Sequence, residues 1–417
     1  MSAPLENENS ISLGRTTLIL LVGSLAYVLY EMYLPALTAI GTSLDAPEQL
    51  VQWTITIYLL TLSISQLALG PLADSIGRRK VLLIGMLIIV IGSIVCALAN
   101  SIWVLLLGRA IQGLGAGANI TLSKTIIRDH LVGAKLAQVT GFLGIAISTV
   151  SAASVVIGGY VLAALDWRAI FWIIAGLFLL LDILVFFLLR GWAPDGAPQW
   201  PTRKERRAER IARGEPGPFK VILSLMRDLH FMSLLVTVAL IFGAALAYLT
   251  VTPFLYVRVF NIEPTTFGWL VVAIAVAGVV GKFIMNSSVK RIGLNGTHAL
   301  GIAFVVLGSG VLLALTLLGY QNLWTVLIPF LVFSCGNGVL TPVLTAKALG
   351  SIGKEHAGTA AGLFGTSMTF GAVITTWIIS LTPHDTAMPL AIIASAVAIA
   401  SIILGFFAQT PQNEART

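Results

Sequence analysis

Runs of about twenty apolar residues, parted by short polar breaks, recur along the whole chain. They occupy 16–40, 51–72, 80–99, 101–123, 137–164 and 167–190, then 229–257, 266–287, 297–319, 323–347, 357–381 and 386–408. A helix needs about 20 such residues to cross a bilayer, where each backbone polar group must be bonded within its own segment. The pattern predicts an all-α integral membrane protein with twelve transmembrane helices. Composition agrees: 10% of the 417 residues are charged and the mean hydropathy is +0.94, whereas a soluble domain carries about 25% charged residues. A water-soluble enzyme, a secreted disulfide scaffold and a disordered chain are excluded. Cys96 and Cys335 sit inside apolar runs and read as small buried hydrophobes. The first 14 residues are polar, contain Glu6 and Glu8 and lack a basic n-region, so the first span is expected to remain as a signal anchor.

The stretch 191–228 is the one obvious linker, with Pro- and Gly-rich ends around the basic run Arg203-Lys204-Glu205-Arg206-Arg207. It divides the chain into an N-terminal six-helix bundle, 1–190, and a C-terminal one, 229–417. Of 25 Lys and Arg, 21 fall at the termini, in the linker or in the breaks after even-numbered spans, Lys347 and Lys354 among them. Only Arg168 and Arg258 fall in the opposite breaks, so both termini and the linker are expected in the cytoplasm. The formal charge of +7 is thus a topological signal rather than a nucleic-acid surface, although the linker run also suits anionic lipid headgroups. The halves echo each other: Gly141-Phe-Leu-Gly144 matches Gly362-Leu-Phe-Gly365, and Gly77-Arg78-Arg79 is echoed by Lys290-Arg291-Ile-Gly293. Two related six-span halves are what a transporter built from repeats contains.

The break after the second span reads Gly70-Pro-Leu-Ala-Asp74-Ser-Ile-Gly77-Arg78-Arg79-Lys80. Glycine permits a tight reversal, the basic residues anchor it at the surface, and Asp74 can cap a helix or accept from the arginines. This string resembles the signature loop of the major facilitator superfamily. Gly108-Arg109-Ala-Ile-Gln112-Gly113-Leu-Gly115 matches that family's fourth-span pattern. Glu31-Met-Tyr33-Leu34-Pro35-Ala36-Leu37, Trp167-Arg168-Ala-Ile-Phe-Trp172 and Thr252-Pro253-Phe254 are similar to the Bcr/CflA-type drug–proton antiporters. Two departures stand out. Glu31 replaces that group's usual Asp, and the antiporter motif GPxxGG is reduced to Ser154-Val-Val-Ile-Gly158-Gly159. The second departure leaves export and uptake both open.

Ionisable groups deep in a bilayer are costly and mark function. Glu31, Arg109, Asp182 and Lys282 stand well inside spans. At about 1.5 Å per residue, Glu31 and Arg109 both lie roughly 12–14 Å from the same face and so share a depth. Low dielectric favours a neutral Glu31 and a nearby arginine favours the ionised form, so movement of substrate or of Arg109 would switch its proton. The competing reading is a static Glu31–Arg109 pair that holds the bundle together. Pro35 has no N–H, which frees the carbonyl of Glu31 from its helical partner. Gln112 shares the face of Arg109 and Asn119 lies two turns beyond, as cavity groups or interhelical hydrogen bonders. Gly113 and Gly117 suit close helix packing. Tyr30, beside Glu31, heads a possible aromatic wall with Tyr27, Tyr33, Tyr58, Phe242, Tyr248 and Tyr256. Lys282 is read as reaching to the headgroups, and Asp182 has no assigned role.

The five histidines fall at predicted loops or span ends, with no HExxH spacing, and no P-loop is present, so neither an enzyme nor an ATP-driven pump is expected. The resemblance implies a proton-coupled secondary transporter of the bacterial inner membrane, monomeric, without cofactor or metal. It would export small amphipathic organic molecules, as in multidrug efflux, by alternating access. Its partners would be substrate, protons and membrane lipid. Glu31, Arg109, Tyr30, Gln112 and Asn119 would form the proton and substrate cavity, with Gly70, Asp74, Gly77, Arg78 and Arg79 as a cytoplasmic gate. Asp74 would act on the positive N-terminus of the eleventh span. Export of an endogenous metabolite such as a siderophore, and proton-coupled uptake, are the alternatives on the same scaffold.

Overall fold

The computed structural model describes residues 13–131, 133–189, 218–352, 357–383 and 385–408. Twelve spans are present among them, and no strand. The first is Leu13–Leu25, Val28–Glu31 and Leu37–Ser43, joined by a 3-10 turn at Leu34–Ala36. The second to sixth are Glu48–Ile76, Arg78–Ala97, Ile102–His130, Gly133–Ala164 and Trp167–Leu188. A short helix, Pro218–Arg227, precedes the seventh, Leu229–Pro253, which continues as a π-helical turn over Phe254–Val259. The eighth and ninth form one run, Pro264–Leu317, divided at Gly293. The tenth to twelfth are Leu323–Gly350, Ala357–Ser380 and Met388–Phe407. Ten of these helices are long and apolar enough to cross a membrane. Ile102–His130 is of equal length but is not among the ten, because Arg109, Gln112, Asn119 and Lys124 dilute its apolar content.

Local chemistry sets the ends. Ser101 accepts from the backbone N–H of Val104, Asp228 from His230 and Phe231, and Asn322 forms a capping box with Thr325. Each satisfies N–H groups that a helix start leaves orphaned. Gly77 at φ 101° and Gly293 at φ 69° take the same role in the two halves, reversing or dividing a helix pair where a side chain would be strained.

The first span is interrupted just before and at Pro35. Helix ends at Glu31, with the Met32 N–H on Val28 O at 3.1 Å, and resumes only at Leu37. Second and third spans pack on the fourth, first on fifth, and third on sixth. In the second half, the seventh packs on the eleventh and twelfth, and the tenth on the eighth–ninth run. Gly113 shows how close the second and fourth approach, since a Cβ there would lie 2.1 Å from Thr61 Oγ1 and 2.4 Å from Tyr58 O.

The halves meet chiefly through the second with the eleventh span and the fifth with the eighth. These contacts gather at the end remote from the linker. Trp53 Nε1 donates to Ser380 Oγ at 3.0 Å, Thr56 to Thr376 at 3.2 Å, and Arg258 pairs with Glu48. Gly159 lies so tightly against the eighth span that a Cβ would fall 2.6 Å from Pro264 O. Toward the linker end Gly141, Gly144, Gly362 and Gly365 are exposed, with open space where a Cβ would be, and Thr369 Oγ1 still meets Gln66 Oε1 across the halves at 3.3 Å.

Candidate functional site

Arg109 is fully buried, at 0% exposure. Its Nη1 donates to Leu29 O at 2.6 Å and to Gln112 Oε1 at 2.7 Å, and its Nε to Thr54 O at 3.3 Å. The guanidinium also lies 4.4 Å from the ring centroids of both Tyr33 and Tyr58. The break in the first span makes this possible: the short helix Val28–Glu31 ends without continuing its hydrogen-bond ladder, which leaves Leu29 O for the arginine. Gln112 Nε2 in turn donates to Ser93 Oγ at 2.7 Å, and Tyr33 OH lies 2.7 Å from Thr54 Oγ1. A desolvated cation is here held by carbonyl dipoles and two aromatic faces. Arg109 Nη2 and the Tyr58 hydroxyl remain without protein partners.

Glu31 is 5% exposed and accepts a hydrogen bond from Ser151 Oγ of the fifth span. The Glu31–Arg109 ion pair that equal depth allows is not formed. Ion pairs among the described residues include Arg168–Asp166 and Arg258–Glu48, but the guanidinium meets the first span at Leu29, two residues short of the carboxylate. Depth gives height in the bilayer, not the angle at which a side chain leaves its helix. Tyr30 is buried, with ring centroids 6.0 Å from Tyr27 and 6.2 Å from Tyr58. Asn119 is buried on the same helix as Arg109, and neither amide atom has a partner.

The remaining aromatic residues divide between the halves. Tyr248 stacks on Phe330 at 3.4 Å, and its hydroxyl lies 2.5 Å from that of Tyr256. Tyr33, Tyr58, Tyr248 and Tyr256 are all fully buried, so they belong to packed layers here rather than to an open wall.

In the loop after the second span, Arg79 Nη2 donates to Phe186 O at 2.5 Å and its guanidinium lies over the Phe186 ring. Arg78 Nη1 reaches Thr125 O at 3.4 Å. These arginines tie the loop to the sixth and fourth spans. The side chain of Asp74, the environment of Gly70, the start of the eleventh span and the basic run 203–207 lie outside the described residues. Asp182 lines a separate cavity of about 270 Å³ with Leu83, Ile84 and Leu87, and Lys282 is exposed.

Sequence reasoning missed Ser151, Ser93 and Thr54. The one available signal was the run of hydroxyls at Ser148, Ser151 and Ser154, three residues apart on the fifth span. It also misplaced Lys347: counted among the topological loop charges, it is 2% exposed inside the tenth helix. His298 does lie at a span end, five residues beyond Gly293, and is 3% exposed.

The model of the Major Facilitator Superfamily matches residues 19–376. The chain belongs to the major facilitator superfamily. Its relatives include the chloramphenicol resistance protein of Pseudomonas aeruginosa, 30% identical over 94% of this chain and 90% of that one. The bicyclomycin resistance protein homolog of Haemophilus influenzae is 26% identical over 90% of this chain and 91% of its own length. Among solved structures, a peptide transporter in complex with alafosfalin superposes with a TM-score of 0.76 over 96% of both chains, at 16% identity. That likeness supports the fold alone. The chain is thus a multi-pass membrane protein of the major facilitator transporter type, with drug-resistance proteins among its relatives.

Proposed function

We propose that this transporter exports small amphipathic organic molecules in exchange for protons, by alternating access, with Glu31 as the proton carrier. The observation that carries the reading is a buried carboxylate held by a serine hydroxyl while the buried arginine is hydrogen-bonded to other groups, Leu29 O, Thr54 O and Gln112 Oε1. With no cation fixed against it, Glu31 is free to exchange a proton as its surroundings change. A Glu31–Arg109 pair would resist that change. The hydrogen bond from Ser151 joins the first span to the fifth, two elements whose separation would alter access to the carboxylate.

Excess Lys and Arg near the linker supports a cytoplasmic placement of that end. Closure at the opposite end then fits a state that would load substrate from the cytoplasm for export. Rocking of the two halves would break Trp53–Ser380, Thr56–Thr376 and Arg258–Glu48 and open the outer side. Arg109 Nη2, the Tyr58 hydroxyl and the Asn119 amide, all buried and unpartnered, would supply polar contacts to substrate once movement of the spans opens the packed layer around them. The drug-resistance relatives favour xenobiotics over nutrients as cargo.

Reconstitution into proteoliposomes with an imposed pH gradient tests this. Cationic and neutral drugs, including chloramphenicol, are expected to move against the proton flux. Movement of substrate in the same direction as protons would establish uptake instead.

A further inference from the structure

A second polar site lies in the C-terminal half, at the linker end and away from the central residues. Lys347 Nζ donates to Ala408 O at 2.9 Å and lies 3.3 Å from His298 Nδ1. An ammonium has three N–H donors, and these contacts occupy two. With Nδ1 accepting from the ammonium, the imidazole proton sits on Nε2, which has no hydrogen-bond partner. The buried pair therefore presents a third ammonium N–H and the Nε2–H of His298 without protein partners. No carboxylate is paired with Lys347 among the described residues, and a buried charge without a counter-ion is unfavourable.

A cavity of about 190 Å³ opens beside this pair, lined by Asn295, His298, Ile302, Lys347, Ile402 and Phe406. Its charged end is near the helix termini. Lys347 lies three residues before Gly350 and His298 five beyond Gly293, within roughly 5–8 Å of the ends at 1.5 Å per residue. That is headgroup depth for a helix spanning the membrane. The other walls are apolar and outward-facing: Ile402 and Phe406 are exposed on the twelfth helix, where they would lie against acyl chains.

We propose that this cavity binds the phosphate of an acidic phospholipid from the cytoplasmic leaflet. Lys347 and the Nε2–H of His298 would donate to the phosphate oxygens, while Ile302, Ile402 and Phe406 flank the chains. The bound lipid would supply the missing counter-charge and join the ninth, tenth and twelfth helices. A free phosphate would satisfy the same donors, but the apolar walls favour a lipid.

The test is thermal unfolding of the delipidated full-length protein in detergent, titrated with phosphatidylglycerol, phosphatidylcholine or inorganic phosphate. Phosphatidylglycerol is expected to raise the Tm in a saturable manner, with the other two far weaker. Lys347→Met should weaken the apparent affinity at least about tenfold, as loss of a charge-assisted hydrogen bond does. Should that variant fail to fold, Ala299→Trp decides the question, since Ala299 is an exposed part of the cavity wall. It should weaken phosphatidylglycerol binding similarly while leaving Lys347 in place. Equal stabilisation by phosphatidylcholine, stabilisation by phosphate as strong as by phosphatidylglycerol, or an unchanged titration in Ala299→Trp would each overturn the proposal.

Discussion

Arg109 is held by geometry that lysine cannot reproduce. Three acceptors on three elements, Leu29 O, Thr54 O and Gln112 Oε1, bind two of its nitrogens, and two tyrosine rings flank its plane. An ammonium is a compact charge without a planar fork or a stacking face. Arg109→Lys is expected to insert but to lower both Tm and substrate flux, the flux by at least about tenfold; thermal unfolding and drug efflux measure the two. The burial of Arg109 and its place beside Gln112 were legible in the sequence, because a charge in the middle of an apolar run has few alternatives. Its separation from Glu31 was not. Lys347 was misread for a related reason. Three residues from a helix end, a lysine can reach water or turn inward, and the packing of the ninth and twelfth helices decides which.

At the scale of elements, the outer seal depends on small residues. Gly159 is a point where the fifth span meets the eighth across the halves, and a Cβ there would lie 2.6 Å from Pro264 O. Gly159→Val is expected to hold the outer end open. Labelling of a cysteine placed at Ser380 by a membrane-impermeant maleimide should then rise several-fold, against the low background of buried Cys96 and Cys335. The twelve spans were readable from apolar run length alone, whereas the first was read as one continuous run and its interruption was not foreseen. The remnant Gly158-Gly159 of the antiporter motif marked this contact, but its partner was invisible, because neither helix encodes which neighbour it will face. The π-helical turn after Pro253 likewise has no signature beyond the proline that precedes it.

For the whole molecule, the account requires the halves to alternate between closure at the outer end and closure at the cytoplasmic end. The Thr56–Thr376 contact bridges them at 3.2 Å between oxygens carried directly on Cβ, where two cysteine sulfurs would meet. A Thr56→Cys, Thr376→Cys pair, oxidised to a disulfide, is expected to stop transport, and reduction should restore it. Transport that continues through the cross-linked form would mean the second and eleventh spans need not part. The central claim, however, concerns the proton. The most direct measurement compares wild type and Glu31→Gln in proteoliposomes, following gradient-driven substrate flux alongside substrate exchange without a gradient. The account predicts that Glu31→Gln loses flux driven by the pH gradient while retaining exchange at a substantial fraction of the wild-type rate. Gradient-driven flux persisting in Glu31→Gln would contradict it.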